Sequence, residues 1–383
     1  MTAVGVARCD SYERDAATAA VAKAVAAAGG LPEVAGKKVL VKPNLLSDAG
    51  PNSSATTHPE IVYAVCKMVL EAGGTAIIAD SPGAGIVYTP RTLRRVYERS
   101  GITAVAADLG IEPFVDTEFS EVSFPEGKMM KRFSIIRAAT EADVIISVCK
   151  LKTHMFTGFS GAVKNTFGVV PGLEKPVFHS RFPKSEDFSE MLVDLNELIR
   201  PDFVVMDAVV GMEGNGPMGG EPKHCGYVLA SSSIYALDVS AQRLIGMEPE
   251  RIGTTAAAQR RGLVDLDFVE ETGDEVVRIT DFALPPTYFV PQNNTWFRRM
   301  ILSRLFQMGK VYAPAPHIAK EKCIGCGQCV RICPKKAVLL REGTAVIKLR
   351  NCIRCYCCHE MCQEKAIDLK RSCLGELLHK FVR

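Results

Sequence analysis

Long apolar runs are missing from this 383-residue chain: no stretch offers about 18 uninterrupted apolar residues, so no membrane-spanning helix is expected. The start, from Met1 through Asp15, lacks the charged opening and continuous apolar core of a secretory signal, and a cytoplasmic location is the expectation. Nucleotide fingerprints in the right context are missing too. The glycine run Gly211–Gly220 is closed by no Lys-Ser or Lys-Thr, and its proline opposes an immediate helix. A lid or substrate loop is the better reading, and a direct hydride donor is not implied. What charge there is comes nearly balanced, at +3 overall, with 47% of residues hydrophobic and 23% charged, the profile of a globular protein long enough for two or three domains.

The balance hides an asymmetry. From Ala319 onward there are 14 Lys and Arg against 6 Asp and Glu, a net +8, leaving the preceding residues at 32 against 37, a net −5. A basic terminal region favours an acidic partner, because opposite fields steer encounter; a solvated basic surface is the plainer reading.

Cysteine is the abundant oddity. Nine of the 14 cysteines fall between Cys323 and Cys362 at regular gaps, which suits metal binding in a reducing compartment better than disulfides. Cys323, Cys326, Cys329, Cys333 and Pro334 form a CxxCxxCxxxCP run; Cys352, Cys355, Cys358 and Cys362 repeat it 29 residues later, with Gln363 in place of the proline. Lys336, Ala337 and Val338 then match Lys365, Ala366 and Ile367, so the segment is an internal duplication. In the bacterial ferredoxin pattern the fourth cysteine of each run serves the other cluster. Two [4Fe-4S] clusters are therefore expected, one on Cys323, Cys326, Cys329 and Cys362, the other on Cys352, Cys355, Cys358 and Cys333. Zinc also accepts CxxC pairs, but it needs four ligands per site and no duplicated crossover. Cys357 falls out of register as a small buried neighbour. The lysines and arginines around the cysteines favour the reduced, more negative state of a cluster.

The preceding residues alternate apolar strands with helical patterns. Strands are expected at Ala3–Arg8, Lys38–Val41, Thr75–Ala79, Val144–Val148, Phe203–Met206 and Tyr227–Ala230. Helices are expected at Tyr12–Ala28, from a Thr57 cap to Glu71, and at Arg91–Arg99, Phe188–Ile199 and Ile234–Leu244. Ile111–Val115 and Glu121–Phe124 read as an antiparallel edge. The fold class is α/β, a mostly parallel sheet with helices on both faces, plus a small α+β ferredoxin-like domain. The domains read as 1–290 for the α/β body, 291–316 for a helical linker with Trp296 and a proline hinge from Ala313 to Pro316, 317–371 for the cluster domain and 372–383 for a tail.

Polar motifs follow the strands of the body: Lys42, Pro43, Asn44; Asp80 to Gly83; Lys150, Leu151, Lys152, Thr153, His154; Lys164, Asn165, Thr166 to Gly168; and Asp207 with Glu213. This arrangement, with a ferredoxin-type segment behind it, resembles the family called domain of unknown function 362 over roughly residues 1 to 290. The resemblance implies a fold and candidate positions rather than a reaction. The residues themselves suggest more, because ligands of open α/β sheets bind beyond the carboxyl ends of strands. Lys152, His154 and Lys164 are candidate catalytic groups, His154 a proton donor. Lys42, Asn44, Asp80, Lys150, Asn165, Asp207 and Glu213 are candidate binding groups for an anionic small molecule. The leading expectation is an iron-sulfur oxidoreductase fed by an acidic low-potential donor such as ferredoxin or flavodoxin. A carrier whose body docks a partner enzyme, and a non-redox enzyme or sensor with regulatory clusters, are the competing readings. Nothing in the sequence suggests nucleic-acid binding, and oligomeric state is not legible. If the ligands are crossed as assigned, Cys329→Ser will cost about half the bound iron of the anaerobically reconstituted protein; unchanged iron content would overturn the ligand set.

Overall fold

The computed structural model describes residues 2–83, 86–288, 314–362 and 364–372. Ten strands fall in the body: β1 (Thr2–Arg8), β2 (Lys38–Pro43), β3 (Thr75–Ile78), β4 (Phe119–Ser123), β5 (Arg132–Ile136), β6 (Val144–His154), β7 (Gly158–Ser160), β8 (Phe203–Glu213), β9 (Glu221–Ser231) and β10 (Val269–Gly273). Eight of them form one sheet in the order β10-β1-β9-β8-β6-β2-β3, with β7 folded back on β6. The β3-β2-β6-β8 block is parallel, and β9 runs antiparallel to both of its neighbours. The expected mostly parallel sheet is present.

Period-two alternation explains why both faces are covered. In β6, Val144, Ile146 and Val148 enter one apolar cluster with Val21, Ile61, Val65 and Val96 from helices. Ile145, Cys149 and Leu151 enter the other, with Phe188, Leu192, Leu237 and Ala241. A strand buried on both sides has no polar face to show, which is why these runs read as continuously apolar.

Several expectations need correcting. Strands β6 and β8 run to His154 and Glu213, so Lys150, Lys152, His154 and Asp207 sit on strand extensions rather than in loops beyond them. The helix Pro59–Glu71 is capped by His58, whose ring accepts the Glu60 N–H; the Thr57 hydroxyl instead donates to the Val148 carbonyl at 2.7 Å. The Glu121 segment pairs with Arg132–Ile136, in a separate two-stranded sheet, and Ile111–Val115 forms no strand. Of the glycine run read as a lid or substrate loop, Gly211–Glu213 belong to β8 and the rest is the turn into β9.

The cysteine region holds β11 (Ala315–Ile318), β12 (Val338–Arg341), β13 (Thr344–Ile347) and β14 (Ile367–Lys370), with β11 paired to β14 and β12 to β13. Ala315 and Pro316 therefore belong to a strand and not to a hinge. The linker around Trp296 and the tail from Cys373 lie outside the described residues. The 29-residue repeat persists in the backbone: positive φ occurs at Gly325 and Arg354, at Gly327 and Tyr356, and at Lys336 and Lys365. Glycine is needed at 325, where a side chain would collide with the Gly343 carbonyl.

The covering of the sheet is close. A methyl group on Gly5 of β1 would overlap the Ala24 carbonyl of the helix Arg14–Ala27. Gly5→Ala will therefore push that helix off the sheet, destabilising the body by about 1–3 kcal/mol; an unchanged thermal unfolding midpoint would show that the helix yields freely.

Candidate functional site

The site begins with a strand that outruns its parallel neighbour. Beyond Lys150, β6 is bulged against β8, rejoins it with Lys152 opposite Met212, and pairs as well with β7, Lys152 opposite Ser160 and His154 opposite Gly158. That hairpin leads into the short helix Ala162–Asn165, whose first N–H groups, from Ala162 and Val163, donate to Asp238 at 2.6 and 3.1 Å. Burial pushes the Asp238 carboxyl up to about 7, against the pull of those two donors. Asp238 thus fixes the helix that carries Lys164 and Asn165.

A cavity enclosing about 530 Å3 free of protein atoms is lined by Asn44, Asp80, Lys152, His154, Lys164 and Asn165, among others. These are six of the ten residues singled out from the sequence of the body. The Lys152 ammonium donates to Asn44 Oδ1 and to the Ala55 carbonyl, both at 2.8 Å, and pairs with no carboxylate among the described residues. Burial, then Lys164 and Lys150, bring its pKa down to about 7. Lys164 lies 4.8 Å from the centre of the Phe167 ring and 5.7 Å from that of Phe188, with no hydrogen bond or ion pair among the described residues. Burial lowers its pKa as well.

His154 has a defined tautomer. Its Nδ1 accepts the N–H groups of Phe156 at 3.0 Å and Thr157 at 3.3 Å, so the ring proton resides on Nε2. Burial and the neighbouring lysines hold its pKa well below the ordinary histidine value. Nε2 lies 3.5 Å from Oε1 of Glu360, which has no hydrogen-bond partner.

The remaining positions do not line this cavity. Lys42 is buried in an ion pair with Asp80 at 2.7 Å and also donates to the Pro43 carbonyl; it holds Asp80 and the Asn44 loop rather than facing a ligand. Gly168 packs directly on that pair, with no room for a side chain. Lys150 pairs with Asp207 at 2.7 Å, and the Tyr12 hydroxyl bridges them, in a separate buried network. Glu213 accepts the Ala283 N–H at the rim of the sheet.

The cavity has further walls: Lys175 and Glu360, which the sequence reading overlooked, and His179, which it weighed beside His154 as a proton donor. Lys175 donates to Ser81 and to the Pro82 carbonyl, and burial lowers its pKa to about 7. His179, stacked on Phe188 at 4.4 Å, is kept neutral by burial, with a pKa of about 3. Glu360 comes from the cysteine domain. The sequence did carry a signal for it: the 29-residue offset aligns Glu360 with Arg331, a charge reversal between otherwise matching repeats.

That domain seats on the turn between β8 and β9. His359 faces the Asn215 carbonyl through Nε2 at 3.2 Å and the Ile367 carbonyl through Nδ1, and Lys365 donates to the Gly220 carbonyl at 3.5 Å. Ile332, Cys355, Cys357 and Met361 join the apolar cluster of one sheet face.

The cysteines line two cavities. Cys323, Cys326, Cys329 and Cys362 surround one of about 370 Å3, and Cys333, Cys352, Cys355 and Cys358, with Cys357 as a fifth, surround one of about 340 Å3. Ligand sulfurs accept backbone N–H groups at matching places, Ala337 to Cys333 at 3.1 Å and Ala366 to Cys362 at 3.2 Å. Such donors stabilise thiolate sulfur bound to iron. Four thiolates around each cavity, with amides aimed at the sulfurs, fit an iron-sulfur cluster. Among the described residues no three His, Cys, Asp or Glu side chains meet closely enough to hold a single ion, which does not suit zinc.

Residues 39–243 match the family described as Domain of unknown function (DUF362), and residues 316–339 match the 4Fe-4S binding domain. The chain belongs to the DUF362 family. A thylakoid-associated protein of Synechocystis sp. is 35% identical over 263 residues, which are 68% of this chain and 79% of that protein. Among solved structures, the lactate racemase apoprotein of Thermoanaerobacterium thermosaccharolyticum matches with a TM-score of 0.39 at 16% identity, over 62% of this chain and 55% of that one. A Thermotoga maritima protein matches with a TM-score of 0.31, also at 16% identity, over 54% and 52%. The chain thus spans about half the length of these solved relatives. This DUF362 protein carries a 4Fe-4S binding domain, and none of its described helices is long and apolar enough to cross a membrane.

The unusual state of Lys152 is measurable. Its Nζ resonance in lysine-labelled protein, assigned through Lys152→Met, will titrate near pH 7, against about 10.4 for solvated lysines. Its folded pKa lies below the unfolded value, so the unfolded chain binds more protons between the two, and this group makes stability rise with pH across that window. A midpoint above 10 would show that the amine is solvated.

Proposed function

We propose that this DUF362 protein is an iron-sulfur reductase that transfers electrons through two [4Fe-4S] clusters to an anionic small molecule bound against Lys152, His154 and Lys164. The observation that carries this reading is Glu360. It sits between Cys358 and Cys362, one cysteine from each four-cysteine cavity, and its carboxylate lines the lysine cavity of the body. One short turn therefore touches both prospective clusters and the substrate site.

When bound, the clusters supply electrons one at a time and together hold the two that a typical reduction requires. The chain supplies the rest. Lys164, which makes no hydrogen bond or ion pair among the described residues, holds the substrate carboxylate or phosphate. Lys152, kept in place by Asn44 and the Ala55 carbonyl, places a second donor where negative charge accumulates as electrons arrive. The neutral His154 keeps its proton on Nε2, the nitrogen facing Glu360, and offers it as a hydrogen bond where negative charge develops; Nδ1 is held by two amides so that the ring does not turn. Reduction by two electrons takes up two protons; Lys152, with a pKa of about 7, releases the first and, reprotonated from solvent, the second. A low-potential donor in the cytoplasm, where thiols stay reduced, completes the electron supply.

The competing carrier reading places no chemistry in the lysine cavity. Anaerobic protein reduced with dithionite is to be screened for reoxidation by small carboxylates and phosphate esters, followed by cluster absorbance. With an accepted substrate, His154→Ala and Lys152→Ala are expected to slow reoxidation about 10²-fold or more with iron content and spectrum unchanged. If the reduced protein gives its electrons only to other redox proteins, the reductase reading fails.

A further inference from the structure

The two halves of the duplicated domain differ in burial. In the second repeat the segment Cys357–Glu360 is buried against the body, and Cys355 and Cys358 are each only 8% exposed. In the first repeat the matching segment is open: Arg331 is exposed where its counterpart Glu360 is buried, and Cys326 is the exposed member of its cavity.

Around that open side lie apolar side chains that nothing among the described residues covers. Ile324 is 68% exposed and Leu340 46%, and both belong to the rim of the first cavity. Ile324 lines the cavity beside Cys326, while Leu340 and Arg331 both come against Gly327 in the cysteine loop. The Arg331 guanidinium also donates to the Cys326 carbonyl at 3.3 Å, which fixes a positive charge beside the cavity mouth. From Lys320 to Arg350 eight lysines and arginines, all exposed, outnumber two glutamates. Single exposed apolar residues need no explanation; several at a cysteine-lined opening within a basic field do.

We propose that this rim is the docking surface for an acidic, one-electron redox protein of the flavodoxin or ferredoxin class, and that electrons enter through the cavity of Cys323, Cys326, Cys329 and Cys362. The proposal rests on the electron-transfer reading above. Charge complementarity selects the occupant: an acidic face is steered to the basic rim, and the apolar centre at Ile324 and Leu340 brings the two redox groups close once water is expelled. In each encounter the reduced partner loses one electron and the cluster region gains one, with no bond made or broken. The partner then leaves oxidised, and the buried second repeat conveys charge toward Glu360.

The test uses the full chain with clusters reconstituted and a purified acidic flavodoxin. Binding is measured by biolayer interferometry at ionic strengths from about 50 to 500 mM. Affinity will fall steeply with salt, and the double variant Arg331→Glu/Arg341→Glu will bind about tenfold or more weakly at low salt. Ile324→Asp provides an independent probe through the apolar centre, and Arg200→Glu on the body serves as the control expected to bind as wild type. Iron content and the dithionite-reduced spectrum establish that each variant is loaded. Undiminished binding in both rim variants overturns the docking surface, as does failure of flavodoxin and of an acidic ferredoxin to bind at any salt. Capture instead by phosphatidylglycerol vesicles, lost in the same variants, makes the rim a membrane contact and overturns it equally. Failure of dithionite to reduce the loaded protein removes the electron-transfer reading itself, an outcome separate from the others.

Discussion

Burying an ammonium group is costly unless it is paired, and Lys42, Lys150, Lys152 and Lys175 are each at most 5% exposed. The body meets that cost in two ways. Lys42 and Lys150 receive the carboxylates of Asp80 and Asp207, tight pairs in which loss of one partner would strand the other at a cost of about 3–5 kcal/mol. Lys152 and Lys175 receive only neutral oxygens, and Lys164 receives aromatic faces. Much of the local architecture serves these amines. The Asn44 loop, the Ser81 turn, the Asp238 carboxylate under the short helix and the glycine at 168 all hold a lysine in place or make room for one. The surplus of positive charge over its partners is what the proposed binding of an anion rests on.

The cysteine domain completes this arrangement rather than hanging beside it. Among the described residues Glu360 brings the one carboxylate that reaches the cavity from outside the body, beside His359 and Lys365, which meet carbonyls of the β8–β9 turn. The glycine run, read from the sequence as a lid, is that turn. Gly219 comes so close to the His359 ring that a side chain there would touch it, so the glycine serves approach between domains, while Pro217 of the same turn lines the lysine cavity. The duplication has diverged accordingly. The copy facing the body carries histidine and glutamate where the outward copy carries valine and arginine.

Much of this was legible beforehand, for local reasons. Alternating burial writes itself into each strand, and the helix Ile234–Leu244 was read to its exact bounds because its apolar face and Ser233 cap are both local. The cysteine spacings fix which sulfurs lie on one loop. Less legible were the lengths of β6 and β8, because their outer halves, Lys150–His154 and Asp207–Glu213, are rich in polar and glycine residues and look like loops. They stay extended because they pair with β7 and β9, partners that no local pattern announces. The fate of Lys42, Lys150 and Asp207 was equally hidden: composition shows a lysine beside a strand, but only the fold says whether a carboxylate waits opposite.

The sequence by itself determined the family, the α/β alternation and the duplicated cysteine runs, since each depends on spacing within a few tens of residues. Tertiary structure decided which charges are spent on each other and which face the cavity, because ion pairing depends on distances that chain neighbours do not set. It also decided which copy of the duplication turns inward. Two repeats with the same spacing fold alike, and only packing against the body buries Glu360 and leaves Arg331 in water.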